Sequence, residues 1–462
     1  MSFDESWVRE RSLWLDGLPG RIAPRPALAG DADCDVAIVG GGFTGLWTAY
    51  CLLSLEPSLR VRLVEREVCG FGASGRNGGW ISAGIAGVHE TWAARAGEDA
   101  VRRADRATWE AVDWIGERAR EEGIDCGFAK GGILSIARSE AQAERIRAHV
   151  EHDRQWGWGE EDSRILSPYE VESRVTASDV LCAAYTPHGA RVNPARLARG
   201  LADAVARKGG VIHEQTAARF IEPGRVVTDH GTIRAEHVVR ATEAFTVELS
   251  GQHRTYLPLY SLMIATEPLP STVWQALGWE GRETISDGHH LFFYAQRTPD
   301  DRIAIGGRGA PYGLGSPVDP RYERHDGVRE RLTRTLYDTF PAVRGARITH
   351  HWGGALGVPR DWCMTVQHDP ATGLAFAGGY SGHGVAAASL SGRTLADLIL
   401  RRDTDLTSMP WVGHPLRPWE PEPLRWVASR AIVGIMGSSD RIEDRGGQTA
   451  RRMRIIRPFL AH

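Results

Sequence analysis

The chain has 462 residues, 42% of them hydrophobic, with 55 basic and 58 acidic residues and a formal net charge of −3. That length exceeds what one hydrophobic core serves, so two closely packed domains are expected. The balanced charge offers no basic surface for nucleic acid or an anionic membrane, no apolar run reaches the roughly 18 residues of a bilayer span, and the six scattered cysteines show neither C-x-x-C nor metal-ligand spacing with histidine.

Unpaired single thiols and a start without an apolar signal segment point to a cytoplasmic protein. Residues 1–30 are a polar, proline-containing lead expected to lie over the surface. Next, an apolar run from Cys34 to Val39 abuts a G-x-G-x-x-G turn at Gly40, Gly42 and Gly45. The helical run Leu46–Leu55 follows, then a second apolar run, Val61–Val64, ending at Glu65 twenty residues after the last glycine. Strand, glycine turn, helix, strand and acid in this order form the dinucleotide-binding fingerprint. Gly40 permits the tight turn, Gly42 lets the backbone approach a pyrophosphate, and Gly45 lets helix pack on strand. The diphosphate sits on helix N-terminal N–H groups, and Glu65 accepts hydrogen bonds from ribose hydroxyls. One fingerprint, near the chain start, suits a tightly held flavin.

Gly70–Trp80 holds too many glycines for an ordinary helix or strand, as expected of backbone passing a flat or bulky group. Residues from about 92 to 122 read as one helix with Trp109, Val112, Trp114 and Ile115 on a buried stripe. Strands are expected at Gly132–Ala137 and Ala183–Tyr185, with a helix over Ser139–Trp156 between them. A helix opening at Asn193-Pro194 runs to Arg207. Short strands follow at Val211–His213, Ala217–Ile221, Arg225–Thr228 and His237–Ala241. Further strands are expected at Leu291–Ala295 and Ile303–Gly306, then a helix at Gly327–Phe340. A last strand and glycine turn, Leu374–Gly384, lead into a helix through Leu400. Beyond it, Leu424, Val427, Ala428, Ala431 and Ile435 have amphipathic helical spacing, expected to pack on the body.

These elements predict an α/β protein. A nucleotide-binding domain from residues 1–90, 191–255 and 348–400 is interleaved with a substrate domain from 91–190 and 256–347. Residues 401–462 form a C-terminal extension.

Three stations, Val39–Gly45, Ala73–Gly79 and Gly379–Gly384, together with Ala241-Thr242 after a strand, resemble the glycine/D-amino-acid oxidase (DAO-type) family of FAD-dependent oxidoreductases. The resemblance covers roughly residues 34–400, and the Ser-Gly-Arg-Asn-Gly-Gly block is most similar to its γ-glutamylputrescine oxidase and aminophosphonate oxidoreductase branch. It implies a Rossmann-like FAD-binding domain interleaved with an α+β substrate domain on a mostly antiparallel sheet. It also implies oxidation of a C–H bond next to an amine nitrogen by hydride transfer to flavin N5, giving an imine that water hydrolyses. Oxygen is the expected acceptor. The alternatives are a dehydrogenase serving a quinone or carrier, and an accessory flavoprotein subunit. By this resemblance the cofactor contacts are Gly40, Gly42, Phe43, Thr44, Gly45, Glu65, Arg66, Ala73, Ser74, Arg76, Asn77, Gly78, Gly79, Ala218 and Thr242. The last turn adds Gly379, Tyr380, Ser381, Gly382, His383 and Gly384.

The same resemblance puts His351 and Trp352 beside the flavin face as catalytic candidates, and makes Trp80, Tyr294 and His290 substrate candidates. Ordinary core aromatics and surface histidines are the plainer reading of all five. Arg297 and Arg308 are candidate clamps for a carboxylate or phosphonate, against the commoner fate of solvated arginines. The chain also departs from sarcosine-oxidase-like relatives. Val385-Ala386-Ala387 stand where those carry a carboxylate-binding lysine, and Trp352-Gly353-Gly354 stand opposite their flavin-linked cysteine, so FAD is expected to be non-covalent. Neither Lys130 nor Lys208 falls in Asp301–Gly306, where those relatives place an oxygen-activating lysine.

Overall fold

The apolar run read at the chain start becomes the central strand, Ala32–Val39, of a mostly parallel sheet in the computed structural model, which describes residues 3–309, 312–446, 450, 452 and 453. Residues 447–449, 451 and 454–462 of the expected extension lie outside the described residues. Ala32–Val39 pairs in parallel with Thr232–Arg240 and Val61–Val64, and Leu374–Gly378 and Val211–His213 extend the array on either side. The antiparallel strand Thr365–His368 and the hairpin Ala218–Glu222 with Arg225–Thr228 complete eight strands. Val36 and Ile38 face one core, while Ala37 and Val39 face another with Val226, Ile233 and Val238. Coverage on both faces explains why the strand reads as an unbroken apolar run.

Helix Phe43–Leu55 springs from the glycine turn and packs against helix Gly384–Ile399. Their contact depends on Gly392, where a Cβ would come within 2.6 Å of the Trp47 side chain. The last glycine turn is thereby brought beside the first.

A second eight-stranded sheet has the order Ile348–Val358, Leu257–Thr266, Ile303–Gly307, Phe293–Arg297, Thr284–Asp287, Ile133–Ala137, Cys182–Thr186 and Arg164–Leu166. All neighbours are antiparallel except Thr284–Asp287 with Ile133–Ala137. A two-stranded ribbon, Trp80–Ser82 with Gly189–Arg191, is the third sheet.

Three expectations need correction. The lead does not simply cover the surface: its short helices bury Trp14 and Leu15, and Trp14 Nε1 donates to Asn77 O at 2.8 Å. The helix expected from 92 to 122 is two, His89–Ala96 and Glu98–Glu121, because Gly97 adopts φ +86° between them. Val112 and Ile115 are buried in the second, while Trp109 and Trp114 sit half-buried at its margin. Finally, helix Leu424–Gly446 docks by its polar side, burying Asp440 and Glu443 and leaving Leu424, Val427, Ala428 and Ala431 exposed. Among the described residues, no helix is long and apolar enough to cross a membrane.

Candidate active site

The fingerprint glycines are each fixed by what surrounds them. A Cβ on Gly40, at φ +111°, would strike the carbonyl of Ala241, and one on Gly45 would strike the carbonyl of Gly40. Gly42 is the N-cap of helix Phe43–Leu55 and supplies no side-chain cap. Phe43 N–H donates to Ser74 Oγ at 2.9 Å, which joins the first station to the second. Glu65 accepts Gly41 N–H at 2.7 Å and Glu67 N–H at 2.9 Å, and burial pushes its carboxyl pKa up. Each carboxylate oxygen keeps a further lone pair for a hydroxyl donor. Arg66 pairs with Glu248 at the surface, and Thr242 bonds Thr246 Oγ1 at 2.7 Å. The backbone joined to Glu65 O is that of Thr216, two residues before Ala218.

In the second station, polar side chains brace the loop itself. Asn77 accepts Gly79 N–H at 2.7 Å and donates to the carbonyls of Ala73 and Ser74. Arg76 is buried and paired with Glu323, so its charge is spent within the protein. Ser12, Trp14 and Trp352 each donate to a carbonyl of this loop, those of Gly75, Asn77 and Arg76 respectively. Gly78 and Gly79 then pass under the second sheet, where Gln296 Nε2 donates to Gly78 O.

The third station holds Gly379, Ser381 and Gly382 at positive φ. Tyr380 OH lies 2.8 Å from Thr44 Oγ1, and His383 Nδ1 lies 3.2 Å from Ser82 Oγ. A Cβ on Gly382 would meet nothing within 4 Å, and helix Gly384–Ile399 begins there without a side-chain cap. Sequence reasoning missed the residue that ties this turn down. Glu243 accepts the N–H groups of Gly357 and Gly379, and burial pushes its carboxyl up to about 7. Its only signal was its place after Ala241-Thr242. Asp361 and His414, bonded at 2.8 Å, stand beside buried Cys363 behind the same turn, and Ser381 Oγ donates to Trp362 O.

Cross-strand partners share a face, and the row Trp352, Met263, Gly306, Tyr294 turns one face of the second sheet toward these stations. The Tyr294 ring lies over Gly78 and Gly306, where any Cβ would collide with it. Its hydroxyl bonds Ser261 Oγ, and its ring meets Trp80 edge-on at 5.9 Å. Burial pushes the phenol up to about 12, so it stays protonated. His383 falls to about 4, first through burial and then through the charge of Arg308, so its imidazole is neutral.

The expected site residues separate accordingly. Trp80, Tyr294 and His383 gather at the stations. Trp352 is buried and braces Arg76 from behind. His351 alternates to the opposite face, where its carbonyl accepts from Arg324 and burial lowers its imidazole to about 4. His290 is engaged by Glu443 and Arg145 under the C-terminal helix. Arg297 is held by Glu280 and Asp301 over Trp274, on the far face of its strand.

The cradle fits FAD in the donors it leaves free: two helix N-termini without side-chain caps, a carboxylate with spare lone pairs and open space beside Gly382. The sequence matches the model of the DAO family, described as FAD dependent oxidoreductase, over residues 35–398. It is 31% identical over 398 residues to gamma-glutamylputrescine oxidoreductase of Escherichia coli K12, covering 83% of this chain and 88% of that one. A probable oxidoreductase, OrdL, of Rhizobium meliloti is likewise 31% identical over 405 residues, covering 85% and 89%. In fold the chain resembles the crystal structure of glycine oxidase from Geobacillus kaustophilus, with a TM-score of 0.68 at 22% identity over 83% of this chain and all of that one.

Proposed function

The chain belongs to the DAO family of FAD-dependent oxidoreductases, and from that premise we propose that it oxidises a primary or secondary amine at the carbon next to nitrogen. FAD, when bound, supplies the two-electron chemistry by accepting a hydride. Glu65 and the first turn of helix Phe43–Leu55 would hold its adenosine diphosphate half. Gly78, Gly79 and the turn Gly379–Gly384 would flank its ring system.

The protein's part is to present the amine in the reactive protonation state. The observation that carries the reading is the set of ionisable groups where the three stations meet: a neutral imidazole at His383, a protonated phenol at Tyr294 and the guanidinium of Arg308. Among the described residues, no carboxylate pairs with any of the three. Such a site disfavours a second cation, so an arriving ammonium is driven to give up its proton and expose the nitrogen lone pair. Trp80 and Tyr294 would wall the pocket and exclude water. The named activities of gamma-glutamylputrescine oxidoreductase and glycine oxidase support an amine or amino-acid substrate.

The test is anaerobic titration of the yellow holoprotein with amines, D- and L-amino acids and aminophosphonates. Loss of the oxidised-flavin absorbance with at least one amine is expected, and a panel that leaves the band intact sinks the proposal. A second reading, a dehydrogenase serving a carrier, is favoured by the lysines: Lys130 pairs with Asp113 and Lys208 with Glu122, neither on the sheet face of Tyr294. Slow recovery of the band in air with fast recovery by an artificial acceptor would select it. All six cysteines are unpaired and buried, which supports a cytoplasmic setting.

A further inference from the structure

We propose that Arg308 recognises an oxyanion carried by the substrate, so that the preferred amine bears a carboxylate or phosphonate group. This rests on the amine-oxidising reading above and narrows it. Arg308 directly follows strand Ile303–Gly307, and its N–H donates to Phe292 O at 3.3 Å, continuing the pairing with the neighbouring strand. Alternation returns its side chain to the face that Gly306 shares with Tyr294, about 7 Å further along the strand. From there its charge acts on both Tyr294 and His383. The site therefore has a cation at the edge of the space between the sheet and the turn Gly379–Gly384.

What sets this arginine apart is the absence of a counter-charge. Arg76 is matched by Glu323, Arg297 by Glu280 and Asp301, and Arg302 by Asp300. Among the described residues, no carboxylate approaches the Arg308 guanidinium, which lies 4.4 Å from the centroid of the Phe292 ring. Desolvation lowers its pKa to about 10, which leaves it charged at neutral pH. Burying an unpaired cation against an aromatic ring is costly, and an anionic ligand offsets that cost. The planar fork of guanidinium matches both carboxylate and phosphonate oxygens. Backbone pairing to Phe292 and a 2.8 Å hydrogen bond from Arg331 to Arg308 O hold the strand end in place. The same field repels a diamine with a second ammonium.

Matched probes decide the matter: n-alkylamines of two to five carbons against the same amines ending in carboxylate or in phosphonate. Anaerobic reduction of wild-type holoenzyme should favour an anionic member over its neutral partner by about 100-fold in rate over apparent Kd. The Arg308→Met variant should narrow that ratio to below about threefold, with Arg308→Lys between, since lysine keeps the charge and loses the fork. A readout free of turnover is binding of butyrate and propylphosphonate, followed by flavin absorbance and by thermal shift. Wild type should saturate, with about tenfold weaker binding in Arg308→Met. Flavin content checks that each variant folds, and the wild-type probe series needs no variant. Equal reduction by neutral and anionic amines overturns the proposal, as does anion binding that Arg308→Met leaves unchanged. Arg308-dependent anion binding without reduction by any amine would sink the amine reading and keep the assignment of Arg308.

Discussion

Glu243 sits at φ +43° and gives one carboxylate to two glycine N–H groups, Gly357 at 2.5 Å and Gly379 at 3.1 Å. It thereby fixes where the turn Gly379–Gly384 stands relative to the second sheet. Burial raises its carboxyl from 4.5 to about 7. Between those values the folded protein retains a proton that the unfolded chain has released. The contribution of Glu243 to stability therefore falls as pH rises from 4.5 through 7, by at most about 1.4 kcal/mol per pH unit. Glu243→Ala removes that slope and also loses two charge-assisted hydrogen bonds, about 2–4 kcal/mol in all. Denaturant unfolding from pH 4.5 to 8 measures both, and a variant that keeps wild-type slope and stability refutes the role. Nothing in the sequence separated this residue from other acids, because its partners lie more than a hundred positions away. Gly40, Gly42 and Gly45 were legible, since their reasons are local: a tight turn, a helix start and a strand beneath it.

At the scale of elements, helix Leu424–Gly446 shows what spacing conveys and what it omits. Its apolar period announced a helix but pointed to the wrong docking face, since the groups that hold it come from distant segments. Asp440 accepts the N–H groups of His290 and Leu291, Glu443 pairs with Arg145 and His290, and His289 is pinned between Asp287 and Asp444. These carboxylates raise His289 to about 10, against 6.5 for a free imidazole. Stability from this imidazolium is complete below pH 6.5 and is lost as pH climbs through 10. Glu443, lowered to about 2, adds stability above 4.5 that disappears only in strong acid. Hydrogen exchange over residues 424–446 should therefore quicken between pH 7 and 10, after correction for the intrinsic rate, while Ala32–Val39 stays protected. His289→Ala should flatten that dependence. Equal protection of the helix at both pH values in the wild type would show that the ionic latch does not hold it.

In the whole molecule, two sheets of different character are braced across a cofactor cradle. Their difference was readable in advance, since an unbroken apolar run such as Val36–Val39 belongs to a parallel sheet covered on both faces. The burial of Trp14 and Leu15 was not, because helices of four or five residues carry too little periodicity to declare a buried side. The three glycine stations, hundreds of positions apart, are linked to one another by few direct bonds: Ser74 to Phe43, Thr44 to Tyr380 and Ser82 to His383. Each such bond contributes about 1 kcal/mol, too little to hold uncapped helix starts together. Bound FAD must therefore supply much of the cohesion at this junction. At a thousandfold excess over its Kd it should stabilise the fold by about 4 kcal/mol. Stripping the cofactor should lower the melting temperature and release exchange protection at residues 40–46, 72–80 and 379–386. Strands Leu257–Thr266 and Ile303–Gly307 should keep theirs. Thr44→Val, which deletes one of the three links, should cost the apoprotein about 1 kcal/mol and loosen FAD. Coincident melting and exchange in the apo and holo forms would show instead that the protein holds the junction closed unaided.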